Sequence, residues 1–292
     1  MTSKVKKIRA AALLLALLCC LGGCIQLPKT EPSETAGSGE TPKEEVTVGK
    51  HHETAVYTYS TEVDEETLKT GLSKEYLLLA NKNCVLGEDY VPENLVSLPR
   101  AWTTRSMKLE RRAAAALSEM VEEMLAAGVS DTYVTSAYRT YAYQQARFDE
   151  YRANEMKDIT EDAYAVLGYD HIYNKYLVNH RTGLDAQDAE RVVLSYSARP
   201  GTSEHQTGLC VDFITEGMGG KLDASFENYE AYTWLSQNAY RFGFILRYPK
   251  DKTEITGYQY EPWHYRFVGR EAATDIYFSG LTLEEYLSAT AS

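Results

Sequence analysis

Four side chains that can bind a metal ion or move a proton occur in two short segments of this sequence. His205 and Asp212 stand seven positions apart, and Glu261 and His264 stand three positions apart about fifty residues later. Two imidazoles and a carboxylate can hold a catalytic zinc ion that keeps a fourth position open, and a further carboxylate can act as the base. The spacing therefore predicts that His205, Asp212 and His264 bind zinc and that Glu261 is the catalytic base.

Asp212 is informative because of its apolar neighbours. In a strand, alternation would place it on one face with Cys210, and Leu209, Val211 and Phe213 on the other. An ionised carboxylate in such surroundings is costly to bury without a cation or hydrogen-bond donors, and a metal ion would supply that cation. The alternative is an aspartate that caps a turn or pairs with an arginine.

Glu261 and His264 can reach one site only if the backbone between them is bent or helical. Pro262 favours a bend, because the residue before a proline is restricted to extended conformations. On its own, a glutamate three positions before a histidine occurs often by chance. The prediction therefore depends on the two segments being taken together.

Three motifs occur in an order that resembles a known family. They are SAYR at 136–139, SEHQTGLCVDF at 203–213 and EPWHYRFVG at 261–269. Together they resemble the VanY-like zinc D-alanyl-D-alanine carboxypeptidases, which are related to VanX and to the L,D-carboxypeptidases, over about residues 75–280. The resemblance implies one zinc ion per chain on His205, Asp212 and His264, and Glu261 as the base.

The resemblance also implies that Arg139 holds the substrate near its carboxyl-terminal end. A planar guanidinium binds a free carboxylate through two parallel hydrogen bonds, and it can stabilise an oxyanion as well. The alternative is a structural salt bridge. We expect the rest of the substrate pocket to be shaped by Ser203, Gln206 and Trp263 and to be lined by Tyr138.

Cys210 departs from the resemblance, which implies a small apolar residue at that position. It is either an additional metal ligand or a small residue that fills space. Cys84 is the other cysteine outside the first 24 residues. A Cys84–Cys210 disulfide and two small buried thiols are the alternatives for this pair.

The implied activity is removal of the terminal D-alanine from peptidoglycan stem peptides. One alternative is an L,D-carboxypeptidase or an endopeptidase on the same fold. Another is a cell-wall-binding lipoprotein without catalysis, which the presence of Glu261 argues against.

The N-terminal segment has the pattern of a lipoprotein signal peptide. Four basic residues precede an apolar run from residue 10 to residue 21, which is too short to cross a bilayer of about 30 Å. The run ends in Leu21-Gly22-Gly23-Cys24, which resembles a lipobox with Cys24 as the lipidated residue. This pattern predicts an extracytoplasmic protein that is attached to a bacterial membrane only through its lipid.

We predict three regions: a signal peptide at 1–23, a lipidated cysteine with a flexible tether at 24–74, and a zinc carboxypeptidase domain at 75–292. The tether is rich in Pro, Ser, Thr, Gly and Glu, which cannot bury enough apolar surface to fold. His51 and His52 lie at its end and are expected to be solvated.

The charge balance excludes one class of partner. The net charge of −12 becomes −16 when residues 1–23 are removed, because they carry four positive and no negative side chains. A nucleic-acid-binding surface needs a basic patch, so no nucleic acid is expected. The chain is expected to act as a monomer.

The order of elements predicts a single α+β domain with a small, mainly antiparallel sheet flanked by helices. Alternating apolar and polar residues, or short apolar runs, predict strands at 76–81, 133–139, 209–214, 244–248 and within 259–268. Helical periodicity predicts helices at 108–127, 141–157, 184–196, 226–242, 269–279 and 282–288. Residues 158–183 fit neither pattern, and we expect His171 and His180 there to be surface or structural histidines.

Overall fold

The computed structural model describes residues 50–291, and a four-stranded antiparallel sheet with the strand order β3-β4-β6-β5 lies at its centre. β1 and β2 form a separate antiparallel pair. The strands are β1 (Leu95–Ser97), β2 (Lys108–Glu110), β3 (Thr132–Ser136), β4 (Cys210–Thr215), β5 (Phe244–Leu246) and β6 (His264–Phe267). Helices pack around this sheet, which confirms the predicted α+β class with a small antiparallel sheet.

The helices agree with the predicted ones wherever the apolar periodicity is strong. Within residues 50–291 the α-helices are α1 (His51–Thr54), α2 (Glu65–Leu68), α3 (Arg111–Ala126), α4 (Tyr141–Lys157), α5 (Glu161–Leu167), α6 (Tyr169–Ile172), α7 (Ala186–Tyr196), α8 (Glu230–Asn238), α9 (Thr253–Thr256), α10 (Arg270–Ser279) and α11 (Leu283–Thr290). The predicted start of α3 at residue 108 is three residues early. Residues 108–110 form β2, and the Glu110 side chain then caps the helix by accepting from the N–H groups of Arg112 and Ala113.

β4 is the strand that positions the chemistry. All six of its residues are buried, and β3 and β6 cover both of its edges. The register pairs Asp212 with His264 of β6 and with Ser136 of β3. Cross-strand partners have neighbouring side chains, so the register alone brings two of the predicted ligands together.

The folded unit begins before residue 75, where the sequence placed its start. Leu68 of α2 is 1% exposed, and the Glu123 carboxylate of α3 accepts hydrogen bonds from the backbone N–H groups of Ser60 and Thr61. The expected solvation of His52 is also wrong, because its Nδ1 lies 2.9 Å from Asp275 Oδ2 on α10. The stretch at 50–74 is therefore held in place by polar contacts, which amino-acid composition does not reveal.

The predicted strand at 76–81 is wrong. The segment forms a turn followed by irregular chain, and its carbonyl groups bond to a side chain instead of a strand. The Arg266 Nη2 atom donates to the carbonyl oxygens of Tyr76 and Leu78 at 3.0 and 2.7 Å. A short apolar run therefore marks burial here and not a strand.

Residues 158–183, which the sequence left unassigned, form α5, α6 and a π-helical turn at Tyr173–Leu177. They pack with α7 around a small apolar cluster of their own. His171 has a structural role next to this cluster, because its Nε2 lies 2.6 Å from Asp188 Oδ2 on α7. His180 has a left-handed backbone conformation, with φ of 55°.

The two cysteines of the described region are both free, which contradicts a Cys84–Cys210 disulfide; Cys210 is buried and Cys84 is exposed. Cys24, the predicted signal peptide and the tether up to residue 49 lie outside the described residues. Between residues 50 and 291, none of the helices has the length and apolar character needed to cross a bilayer.

Candidate active site

Three predicted ligands converge at the end of the sheet. His205 Nε2 lies 3.2 Å from Asp212 Oδ2, and His264 Nδ1 lies 2.9 Å from Asp212 Oδ1. All three side chains are more than nine-tenths buried. One buried carboxylate therefore faces one nitrogen of each of two imidazoles.

A tight turn delivers His205 to the start of β4. Residues Glu204–Thr207 form a 3-10 turn that ends at Gly208 in a left-handed conformation, with φ of 67°. A Cβ atom on Gly208 would lie 3.0 Å from a methyl group of Leu95, so both the conformation and the space favour glycine. The turn reverses the chain between the first imidazole and the strand that carries Asp212.

The hydrogen bonds of His205 show why a cation fits here. Its Nδ1 lies 2.7 Å from the carbonyl oxygen of Ala137. A carbonyl oxygen only accepts, so Nδ1 donates and Nε2 of the neutral ring carries a lone pair. That lone pair faces a carboxylate oxygen of Asp212. Two hydrogen-bond acceptors at this distance repel each other unless a proton or a metal cation lies between them. The donor set, two imidazoles and a carboxylate, suits zinc.

The pKa values of His205 and Asp212 also favour a positive charge between these two side chains. Burial and the Arg139 charge oppose the charged form of His205, but the Cys210 thiol and the Asp212 carboxylate outweigh them and raise its pKa to about 8. Burial alone would raise the pKa of Asp212, yet the two imidazoles hold it well below its usual range. The site thus stabilises positive charge next to an ionised carboxylate.

Glu261 lies beside this cluster in the bend that the sequence predicted. The His264 backbone N–H donates to the carbonyl oxygen of Glu261 at 3.1 Å, which closes a turn around Pro262. Glu261 Oε2 lies 3.8 Å from His264 Nδ1. Burial raises the pKa of Glu261 to about 7, so this carboxyl group can both take up and release a proton near neutral pH.

Arg139 leaves β3 and reaches the same cluster. Its Nε donates to Ser136 Oγ at 2.9 Å, Nη1 to Gln144 Oε1 at 3.3 Å, and Nη2 to Asp212 Oδ2 at 3.2 Å. The side chain remains 24% exposed and lines the cleft. Since a guanidinium carries five N–H groups, these bonds leave N–H groups for a ligand in the cleft.

The other predicted pocket residues divide into two pairs. Ser203 and Trp263 line the cleft, as expected. Gln206 does not: it is 1% exposed, and its Nε2 donates to the carbonyl oxygens of Gly87 and Tyr90 and so holds a neighbouring loop. Tyr138 is also absent from the walls of the cleft, and its hydroxyl group is buried. Both residues were wrongly predicted to lie in the pocket because they belong to the sequence motifs.

The sequence analysis did not identify Glu204, which lies next to the ring nitrogen of His264 that faces away from Asp212. Arg247 Nε and Arg266 Nη1 donate to Glu204 Oε1 at 2.7 and 2.8 Å, and all three side chains are fully buried. Glu204 Oε2 lies 3.5 Å from His264 Nε2, and neither atom has another hydrogen-bond partner within residues 50–291. Metal-binding histidines often use a carboxylate in this way to fix the ring. Arginines in the apolar runs at 244–248 and 264–268 were the signal for a buried anion.

Cys210 is part of the same cluster. Its sulfur and one ring nitrogen each of His205 and His264 all lie within 4.8 Å of one another. Cys210 is fully buried and faces Arg266 across the β4–β6 pair. The structure thus gives the two imidazoles two neighbours of metal-ligand type, the Asp212 carboxylate and the Cys210 thiol.

His205, Asp212, Glu261 and His264 line a cleft of about 500 Å³. Its walls come from the sheet end, from α4 and α7, and from the loops that precede α8 and β6. Tyr151, Asp162 and Tyr196 line one side, and Asp223 and Tyr260 line another. A cleft of this size accommodates several residues of a peptide or a small ligand.

Comparisons with known proteins give the same family that the motifs resemble. The family model of VanY, D-alanyl-D-alanine carboxypeptidase, matches residues 106–270. A D-alanyl-D-alanine carboxypeptidase of Enterococcus faecalis is 44% identical over 152 residues, which cover 51% of this chain and 54% of that protein. The chain spans about half to two thirds of the length of the curated relatives with which it aligns.

Two solved structures are similar over most of the described fold. The LD-carboxypeptidase LdcB shares 31% identity at a TM-score of 0.56, with 78% of this chain and 97% of that chain covered. The D,D-pentapeptidase VanY from a VanB-type resistance cassette, in complex with Zn(II), shares 39% identity at a TM-score of 0.54, with 73% and 99% covered. The motifs, the fold and these likenesses together show that the chain belongs to the VanY family of D-alanyl-D-alanine carboxypeptidases.

Proposed function

We propose that the chain is a zinc-dependent carboxypeptidase that hydrolyses the terminal D-alanine from peptidoglycan stem peptides. The observation that carries this proposal is the buried Asp212 carboxylate, which lies between His205 and His264 with Glu261 3.8 Å from His264. Membership of the VanY family supports it. So does a VanY structure in complex with D-alanine-D-alanine, whose protein is 39% identical to this chain.

His205, Asp212 and His264 would hold one zinc ion per chain. When bound, zinc acts as a Lewis acid that acidifies water and polarises a carbonyl group. The three side chains fit this role because they are buried, converge within hydrogen-bond distance and carry lone pairs that face each other. Glu204 supports His264 from behind and leaves Nδ1 directed at Asp212.

Glu261 has the proton-transfer role in this proposal. As a carboxylate it takes a proton from the attacking water, whose oxygen bonds to the peptide carbonyl carbon. It then gives that proton to the nitrogen of the leaving D-alanine as the C–N bond breaks. A group whose pKa lies near 7 can do both at neutral pH, which is the value that burial gives this side chain.

Arg139 would bind the free carboxylate at the end of the substrate. It lies next to Asp212 and is exposed to the cleft, so a carboxylate there would lie close to the bond that is cut. A guanidinium also stabilises negative charge that develops on the carbonyl oxygen during attack. Recognition of a terminal carboxylate is what makes the enzyme a carboxypeptidase.

An L,D-carboxypeptidase that trims tetrapeptides is the second candidate. The likeness to LdcB, at 31% identity and a TM-score of 0.56, favours it. An endopeptidase that cuts cross-links would need a cleft open beyond the substrate's terminal residue. A wall-binding protein without catalysis is disfavoured, because Glu261 is present at 3.8 Å from His264.

We also propose that the protein works outside the cytoplasm, attached to a bacterial membrane through a lipid on Cys24. The apolar run at 10–21 and the lipobox-like Leu21-Gly22-Gly23-Cys24 support this. A stem-peptide substrate also lies on that side of the membrane. We expect Cys24→Ala to move the protein from the membrane fraction to the soluble fraction, while an unchanged distribution would rule out this anchor.

The specificity is tested with two substrates. Zinc-loaded protein is incubated with a stem pentapeptide and with a stem tetrapeptide, and the products are identified by mass spectrometry. Loss of one alanine from the pentapeptide alone supports D,D-cleavage, and loss of one alanine from the tetrapeptide alone supports L,D-cleavage. Release from neither peptide would overturn the carboxypeptidase proposal.

A further inference from the structure

Cys210 is the one side chain of the metal-binding cluster to which the proposed reaction gives no role. It is the first residue of β4, two positions before Asp212, and therefore lies on the same face of the strand. It is fully buried and makes no disulfide.

The thiol is placed against the same two imidazoles as Asp212. Its sulfur and one ring nitrogen each of His205 and His264 lie within 4.8 Å of one another. Zinc binds sulfur at about 2.3 Å and imidazole nitrogen at about 2.0–2.1 Å, so two such donors on one ion are separated by about 4.4 Å at most. In a tetrahedral site the sulfur and a nitrogen are about 3.6 Å apart, so from a separation of up to 4.8 Å the side chains would move together by about 1 Å at most to share one ion.

The surroundings also favour a cation at this point. The Nε2 lone pair of His205 faces an acceptor, because its Nδ1 donates to the Ala137 carbonyl oxygen. A thiolate is a softer donor than a carboxylate and selects softer divalent metals such as cadmium and cobalt over magnesium or calcium. The cluster therefore offers an oxygen donor and a sulfur donor on one pair of histidines.

We propose that Cys210 is an additional metal ligand, whose sulfur joins His205 and His264 in binding thiophilic divalent cations. This inference rests on the proposed zinc site and adds an alternative ligand to it. As the metal–sulfur bond forms, the thiol loses its proton to solvent, and no electrons are exchanged. Because a catalytic site keeps one position open, Cys210 would be the alternative to Asp212 on the two imidazoles and not a fourth ligand beside it.

Cobalt(II) is the probe that separates sulfur from oxygen ligands. A cobalt–thiolate bond gives a charge-transfer absorption in the near ultraviolet, which imidazole and carboxylate ligands lack. The full chain is loaded with one equivalent of cobalt, and the spectra of wild type, Cys210→Ala and Cys210→Ser are compared at equal bound metal. We expect the band in the wild type and its loss in both variants.

Cys84→Ala is the matched control, because Cys84 is the exposed free thiol of the described region. It should keep the band at wild-type intensity. A band that disappears in Cys84→Ala, or that persists in Cys210→Ala, would overturn the assignment of Cys210 as a ligand. Release of D-alanine by the zinc-loaded protein would then still support the proposed function.

The cadmium-113 resonance of the wild-type protein gives a second measure that needs no variant. Sulfur ligation moves this resonance strongly downfield of the range for nitrogen and oxygen ligands, and a downfield signal is the expected result. A signal in the nitrogen and oxygen range would overturn the proposal for Cys210 alone. If the wild type bound neither cobalt nor cadmium, the underlying metal site would be wrong as well.

Discussion

At the scale of single residues, the chemistry depends on how one buried carboxylate is neutralised. Asp212 is 2% exposed and has two imidazoles and a guanidinium within 3.2 Å. An unpaired charge in such a place would cost several kcal/mol. A metal ion would separate the two facing lone pairs of His205 and Asp212, and in the proposed site the same carboxylate would be one of its ligands.

Removing the base should separate metal binding from turnover. Glu261→Ala deletes the group that accepts the proton but leaves His205, Asp212 and His264 in place. We expect wild-type zinc content and a rate of D-alanine release that is lower by a factor of about 10²–10⁴. Metal analysis and product analysis of the same sample check both parts.

The exposed Glu254 provides the control, since Glu254→Ala should change neither quantity. If Glu261→Ala retained wild-type turnover, Glu261 would not be the base. If it lost its zinc, its role would be that of a ligand.

Glu204 should act through the metal ligand that it orients. Glu204→Gln keeps the size of the side chain but replaces the anion that faces His264 Nε2 at 3.5 Å. Loss of such a supporting carboxylate costs about 10–100-fold in metal affinity. Competition with a chelator measures the affinity for zinc, and unfolding by denaturant on the same samples measures the stability.

The variant also weakens the pairs with Arg247 and Arg266, so a loss of stability is expected as well. An orienting role predicts weaker zinc binding even at temperatures where the variant is fully folded. Unchanged zinc affinity in a folded, destabilised variant would reduce Glu204 to a purely structural residue.

The sequence predicted the candidate metal ligands and the candidate base more fully than the residues that surround and orient them. His205, Asp212, Glu261 and His264 could be found because ligand types and spacing survive in the primary structure. Glu204 and Cys210 could not be assigned, because burial and the direction of a side chain decide their roles. Gln206 was misplaced for the same reason: its amide turns away from the cleft to hold a loop.

At the scale of elements, β4 organises the domain. It lies between β3 and β6, and its register sets Asp212 opposite both His264 and Ser136. The alternating apolar pattern at 209–214 predicted this strand, and strong periodicity predicted α3 and α7. The segment at 76–81, which was wrongly predicted as a strand, shows that an apolar run indicates burial, whereas the partners of the backbone groups decide the conformation.

The helical segment before β4 depends on one ion cluster. Asp188 of α7 accepts hydrogen bonds from Tyr176 at 2.6 Å and from Lys175 at 2.8 Å, and it lies 2.6 Å from His171 Nε2. Burial opposes the ionised form, but these partners hold the pKa of Asp188 well below its usual range. The cluster explains why a segment with little periodicity is nevertheless ordered.

This cluster predicts a pH-dependent contribution to stability. A carboxyl group with a depressed pKa in the folded state stabilises the fold above its unfolded pKa of about 3.9 and loses that contribution as the pH falls further. Asp188→Asn should therefore cost about 1–3 kcal/mol of unfolding free energy at pH 7, and the difference from wild type should shrink below about pH 4.

Denaturant unfolding of both proteins at pH 7 and pH 3 measures this difference. The surface variant Asp149→Asn on α4 serves as the control, because its partner Arg152 is also solvent-exposed. A difference between Asp188→Asn and wild type that is the same at both pH values would show that the charge is not what matters.

At the scale of the whole molecule, one folded unit contains the sheet, the cleft and the segment at 50–74. Its start was predicted too late because polar contacts hold that segment, such as Glu123 with Ser60 and Thr61. The order of elements correctly predicted an α+β domain, but neither that order nor the composition reveals which polar residues find partners. The regions at 1–23 and 24–49 carry the proposed export signal and lipid, and they stay predictions.

The most direct test of the central claim is the release of D-alanine from a stem pentapeptide by metal-free protein during titration with zinc. The three proposed ligands, His205, Asp212 and His264, form one site, so release should be absent without metal and should reach a plateau at one zinc ion per chain. Release that survives complete removal of the metal, or none at full zinc loading from either the pentapeptide or the tetrapeptide, would contradict a zinc carboxypeptidase.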